Sequence, residues 1–182
     1  MKRLLQILMS SAVLVLCLPS GAEGAPKPGE LKEIQDDSGR IAALILHPGT
    51  VRGEGDLRLG LEWNDSMADG HLRLVATAAG FMDVLPGPSL HFRIDGAFVS
   101  LTPDRPAPGR PGRVGRSYSI PVSFVEDLLE AEEVEVRLDL EGLFAEGDFR
   151  KCRRGSACRG FKQFLKRLRR IRKQREPSQQ EK

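Results

Sequence analysis

Histidine and cysteine are scarce in this chain, at three residues each, and the two types do not cluster. A structural zinc site takes four Cys or His ligands, and the one close pair, Cys152 and Cys158, has no further cysteine or histidine near it in sequence. Aromatic residues make up 5% of the chain, with a single tryptophan and a single tyrosine. That leaves no series of stacking platforms of the kind single-strand nucleic-acid binders use. Also missing are a G-x-S-x-G elbow, a phosphate-cradling P-loop and an H-E-x-x-H helix. Gly53-Glu54-Gly55 has no third glycine for a dinucleotide turn. The segment from Asp65 to Gly70 fails as a calcium loop, because Met67 occupies a ligand position and Ala76 stands where the final carboxylate is needed. No catalytic residue, metal site or cofactor is assigned, which favours a noncatalytic protein.

The one long apolar run is at the start. Met1-Lys2-Arg3 is a positive n-region and residues 4–18 form an apolar h-region, followed by the polar exit Pro19-Ser20-Gly21. At roughly 15 residues the apolar core is shorter than the ~20 a spanning helix needs. The small residues Ala22 and Gly24 suit cleavage before Ala25, so residues 1–24 are expected to be a signal peptide and the protein to be exported, periplasmic or secreted. Leu14-Val15-Leu16-Cys17 resembles the bacterial lipobox in its leucine three residues before the cysteine, but Leu16 is larger than that motif takes at the adjacent position. A lipid anchor at Cys17 is therefore the lesser expectation, and a plain h-region cysteine the greater.

Charge is partitioned. Residues 25–149 hold 12 Lys and Arg against 22 Asp and Glu, whereas residues 150–182 hold 14 against 2. An acidic body with a basic tail results. In an oxidising compartment Cys152 and Cys158 are expected to pair, and closing so small a loop adds about 2 kcal/mol in the chain-entropy model.

The body reads as all-β. Residues 25–40 are rich in Pro, Lys and acids and are expected to be a flexible lead; residues 41–149 follow as an acidic β-rich domain. The apolar run from Ile41 to Leu46, closed by His47-Pro48-Gly49, reads as a buried strand. Leu57, Leu59, Leu61 and Trp63 alternate with polar positions, as do Leu72, Leu74, Ala76 and Ala78, and the loop between predicts a hairpin. A strand from Leu90 to Ile94 turns at Asp95-Gly96 into a second hairpin. Tyr118, Ile120, Val122 and Phe124 alternate again, with Pro121 arguing for a sheet edge. Ser123 and Glu126 have capping-box spacing, so residues 124–131 are expected to be a short helix with Leu128 and Leu129 inward. Val134, Val136, Leu138 and Leu140 form the clearest alternation of all. Together these predict an antiparallel sandwich or partly open barrel with one short internal helix and a C-terminal amphipathic basic helix.

That helix is expected over residues 160–173 of a basic disulfide-loop and helix segment, 150–175, with a disordered end, 176–182. Phe161, Phe164, Leu165, Leu168 and Ile171 recur at spacings of three and four, while Lys162, Lys166, Arg167, Arg169, Arg170, Arg172 and Lys173 supply an all-cationic polar side. Three destinations compete for it. The stripe docks on the protein's own body, its cations neutralising the acidic stretch 126–148. Or the helix lies on an anionic membrane surface with its apolar face inserted. Or it binds another envelope polyanion or a partner protein's groove; nucleic acid is disfavoured in an exported chain. Separately, His71 with Arg73 and His91 with Arg93 occupy polar faces of two strands, and their convergence would make a small-anion-binding or hydrolytic site.

Overall fold

The structure is a computed structural model that describes residues 26–107 and 111–175. The expected signal peptide, Cys17 and the expected disordered end at 176–182 lie outside the described residues.

Two antiparallel sheets form the body. In chain order the elements are β1 (Leu31–Gln35), β2 (Ile41–Thr50), β3 (Arg52–Glu54), β4 (Arg58–Asn64), β5 (His71–Ala79), β6 (Leu90–Ile94), β7 (Ala97–Leu101), β8 (Arg105–Pro106), β9 (Arg113–Pro121), α1 (Val122–Glu130), β10 (Val134–Leu140), β11 (Leu143–Asp148) and α2 (Ala157–Arg175). A six-stranded sheet has the order β1-β2-β4-β5-β9-β8 and a five-stranded sheet the order β3-β11-β10-β6-β7. The fold is thus an all-β, open antiparallel sandwich with a short internal helix and a C-terminal helix.

Alternation explains the strands it predicted. Leu59, Leu61 and Trp63 of β4 and Leu72, Leu74, Ala76 and Ala78 of β5 are all buried, as are Val134, Val136, Leu138 and Leu140 of β10. The β6–β7 turn has Asp95 and Gly96 both at positive φ, 46° and 85°, the pairing a two-residue type I′ hairpin requires. Asp95 does a second job there: its Oδ1 accepts from the amides of Glu132 and Glu133 at 2.9 and 2.8 Å, setting the entry to β10. Between the sheets the hydroxyls of Tyr118 and Ser89 are 3.0 Å apart. Burial pushes the Tyr118 phenol up to about 12, against the opposing effect of that hydrogen bond.

Four details depart from expectation. Within the supposed flexible lead, β1 pairs antiparallel with β2 from Leu31 opposite Leu46 onward; backbone pairing, not side-chain burial, orders it, since four of its five residues are exposed. His47-Pro48-Gly49 does not end β2, because the register with β4 shifts between Leu46 and Gly49 and a bulge accommodates the proline that cannot donate to the ladder. Pro121 does not mark an edge strand: β9 lies between β5 and the two-residue β8, with the proline as its last residue. Nor is there a capping box, since Ser123 lies inside α1, whose N-cap is Pro121 with no side-chain hydrogen bond.

Of the three destinations open to the α2 stripe, the structure shows the first, the protein's own body. The helix packs on β1, β2 and β4 and touches α1, and Phe161, Phe164, Leu165, Leu168 and Ile171 all belong to the one hydrophobic core. Because Leu46 pairs with Leu61, Leu61 with Leu74 and Leu74 with Tyr118, these side chains share one face of the six-stranded sheet. Tyr118 meets Ser89 beside the five-stranded sheet, while a Cβ on Gly160 would lie 2.9 Å from the Leu46 methyls. The second layer of the sandwich is therefore the five-stranded sheet at one end and α2 at the other. A chain ended after Phe149 is expected not to fold, and Phe164→Ala to cost about 3–5 kcal/mol; urea unfolding followed by circular dichroism measures both.

Candidate functional site

Polar residues spaced for one side of a helix follow directly from an apolar stripe on the other. In α2 the buried residues are Ala157, Cys158, Gly160, Phe161, Phe164, Leu165, Leu168 and Ile171. Arg159, Lys162, Lys166, Arg169, Arg170 and Lys173 are exposed, with Arg167 and Arg172 half-buried at the margins. At 1.5 Å per residue, the cations from Arg159 to Lys173 form a ridge about 20 Å long. No acidic residue interrupts it.

The helix starts at Ala157, three residues before its expected start at Gly160, because Ser156 caps it. The Ser156 hydroxyl accepts from the Arg159 amide at 3.4 Å and donates to the Arg153 carbonyl at 2.7 Å. Cys152 and Cys158 are disulfide-bonded, tying the exposed loop to a buried position in the first turn. At the other end Arg172, Lys173 and Arg175 lie in the last turn, where cations complement the helix dipole.

Only some of the cations meet the body's acids. Arg167 bonds both carboxylate oxygens of Glu33, at 2.5 and 2.8 Å, Arg169 reaches Glu126 at 2.6 Å, and Arg175 reaches Asp65 at 2.5 Å. Of these partners only Glu126 belongs to the acidic stretch 126–148 that the sequence suggested; the others come from β1 and the β4–β5 loop. Arg175 also donates to the Ile41 carbonyl and lies 5.0 Å from the Trp63 ring centroid. Among the described residues, no carboxylate lies within ion-pair distance of Arg159, Lys162, Lys166, Arg170, Arg172 or Lys173. The ridge therefore presents unneutralised charge.

The second candidate does not assemble. His71 and Arg73 are on β5 and His91 and Arg93 on β6, strands of different sheets. Their neighbours Leu72, Leu74, Leu90 and Phe92 point into the core, so the two His/Arg pairs emerge on opposite outer faces of the sandwich. Each residue also has a local partner. Arg73 donates to Glu62 at 2.9 Å and Arg93 pairs with Glu135; His91 contacts Ser100 and Asp139, at 2.8 and 3.1 Å, and His71 the Asp69 carbonyl at 3.2 Å. Among the described residues no group of three or more His, Cys, Asp or Glu is placed to hold a metal, and no helix is long and apolar enough to cross a membrane.

No protein-family model matches the chain, nor does any curated protein or any solved structure.

The Glu33–Arg167 contact joins the helix to the outermost strand. Its hydrogen bond from Arg167 holds the Glu33 carboxyl below the ordinary carboxylate value, and the same bond raises Arg167. A depressed folded-state pKa means the contact stabilises the fold above the unfolded value of 4.5 and loses its contribution as pH falls through the lowered one. Wild type is thus expected to melt above Glu33→Gln near neutral pH. The gap closes as pH falls from the unfolded value of 4.5 through the lowered one, as read by thermal melts at a series of pH values.

Proposed function

We propose that this is an exported, noncatalytic binding protein of the cell envelope, which meets an extended anionic surface with the outer side of α2. The observation that carries this reading is the division of labour on that helix: its apolar stripe is consumed by the core, and six of its cations have no carboxylate within ion-pair distance among the described residues. The disulfide and the signal-like first 24 residues support export.

Burial of the stripe also selects the mode of contact. A free amphipathic helix would insert its apolar face among lipid headgroups; a docked one offers charge alone. Binding then rests on release of counterions and falls steeply with salt. Anionic lipid and anionic envelope polymer share this chemistry, and a body with an excess of acids keeps the rest of the molecule turned away from either.

Cosedimentation of residues 25–182 with anionic and neutral vesicles, and retention on an anionic polysaccharide, test the reading. Binding is expected to anionic supports only, at about 50 mM salt, and to vanish by about 500 mM. Lys162→Glu, Lys166→Glu and Lys173→Glu together should abolish it at unchanged circular dichroism, because each nearby cation contributes about 1 kcal/mol. Equal binding to neutral vesicles, or binding that survives high salt, would overturn the proposal.

A further inference from the structure

The solvent side of the six-stranded sheet carries a groove of about 310 Å3, far in role from the cationic ridge. Three rungs cross β4, β5 and β9 beneath it, Glu62 with Arg73 and Ser119, Gly60 with Val75 and Ser117, and Arg58 with Thr77 and Gly115; of these Glu62, Val75, Arg58, Thr77 and Gly115 line the groove. These residues face away from the core, since Leu59, Leu61, Leu74, Ala76 and Tyr118, which alternate with them, face into it. Yet Val75, Thr77 and Ser117 are only 4%, 8% and 1% exposed. The wet side of a sandwich does not ordinarily bury its residues so deeply.

Two walls cause the burial. Pro48, at the bulge of β2, leans over Gly60, and Ala107, beyond β8, leans over Gly115. A Cβ on Gly60 would lie 3.1 Å from the Pro48 Cγ and 2.5 Å from the Leu46 carbonyl oxygen; one on Gly115 would lie 3.2 Å from the Ala107 Cβ and 2.4 Å from the Ala76 oxygen. Glycine at both positions is what lets the walls close in. Ser117, in the same rung as Val75, does not line the groove; its hydroxyl has no hydrogen-bond partner among the described residues.

The lining combines apolar Ile45, Pro48 and Val75 with the guanidinium groups of Arg58 and Arg113 at one end. Both arginines are held from behind by Asp56, which does not itself line the groove. Arg58 donates to its two oxygens at 3.1 and 2.9 Å; Arg113 donates to the Asp56 carboxylate, to the Asp56 backbone carbonyl at 2.5 Å, and to the Thr77 hydroxyl and carbonyl, both at 3.3 Å, which leaves one Nη1 hydrogen of Arg113 for a ligand. Two cations share one carboxylate, so one positive charge is left over at that end. At the other end Glu62 is matched one to one by Arg73 at 2.9 Å and adds no net charge.

An apolar slot closed at one end by a surplus guanidinium charge fits one kind of occupant. We propose that the groove binds a small carboxylate with a compact aliphatic body, the carboxylate on Arg58 and Arg113 and the hydrocarbon over Val75, Ile45 and Pro48. Its volume is at the lower end of the range for small-molecule sites, and oriented guanidinium groups form charge-assisted hydrogen bonds to carboxylates.

Titration of isotope-labelled residues 25–182 with hexanoate, hexan-1-ol and acetate, followed by amide chemical shifts near neutral pH, decides the matter. Hexanoate should give saturable shifts confined to residues 45–48, 58–62, 75–77 and 113–115. The alcohol and acetate should each bind at least about tenfold more weakly, the first for want of charge and the second for want of apolar area. Arg58→Gln should weaken hexanoate about tenfold and leave the alcohol unchanged. Ile45→Glu, which sets a like charge in the slot without touching the arginines, should weaken hexanoate as well. Shifts that do not saturate, that fall on α2, or that are equal for acid and alcohol would overturn the proposal, as would hexanoate binding unchanged in both variants.

Discussion

Burial of the α2 stripe on the six-stranded sheet is the contact on which the rest of the molecule depends. The two sheets are unequal, and the five-stranded one leaves the β1, β2 and β4 end of its larger partner to be covered by something else. Leu44, Leu46, Leu59, Leu61 and Trp63 would otherwise face water. Phe161, Phe164, Leu165, Leu168 and Ile171 cover them, and Phe149 and Phe161 meet edge to face at 5.1 Å where the last strand hands over to the helix. Close approach of backbone makes this possible: a Cβ on Gly49 would lie 2.8 Å from the Ala157 nitrogen. The bulge that spoils the β2 ladder at Pro48 therefore leads directly into the glycine against which the start of α2 is seated.

The same contact decides what the charge partition means. On sequence alone an acidic body and a basic tail look like two parts free to neutralise each other. In the structure the helix cannot turn its cations toward the body without lifting hydrocarbon out of the core. Only residues at the margins of the stripe reach across, Arg167 to Glu33 and Arg175 to Asp65, together with Arg169 to Glu126. Exposed pairs of this kind contribute roughly 0–1 kcal/mol each, so hydrophobic burial outweighs them in fixing the helix, and its orientation leaves the remaining cations outward.

How much of this was legible depends on where each signal is carried. Val134 to Leu140 and Leu72 to Ala78 advertise strands because burial of one face writes a period of two into the residues themselves. β1 has no such pattern, since an edge strand with a single half-buried residue is ordered by backbone hydrogen bonds that any sequence supplies. The stripe of α2 was readable, but its destination was not, because amphipathicity states that a face is apolar without stating against what it packs. Likewise the parity of His71 and His91 was right while their sheet membership, a long-range property, kept them apart. The groove on the outer sheet face was invisible to motif reading. It rests on Gly60 and Gly115 lacking a Cβ and on Asp56, held at a φ of 46° between two arginines distant from each other in sequence.

A helix held by its own core differs from a flexible basic tail in the cost of using its charges. A disordered tail must be ordered when it meets a surface, and that conformational entropy is subtracted from whatever the contact yields. Here the ordering is already done by folding, with Ser156 and the Cys152–Cys158 disulfide fixing the first turn. The exposed cations retain fixed spacings along one ridge, and their attraction to an anionic surface is opposed only by the freedom of the side chains themselves. Preorganisation on a rigid element also makes the field directional. On the proposed reading, the fixed field of this ridge orients the protein on an anionic surface before close contact is made.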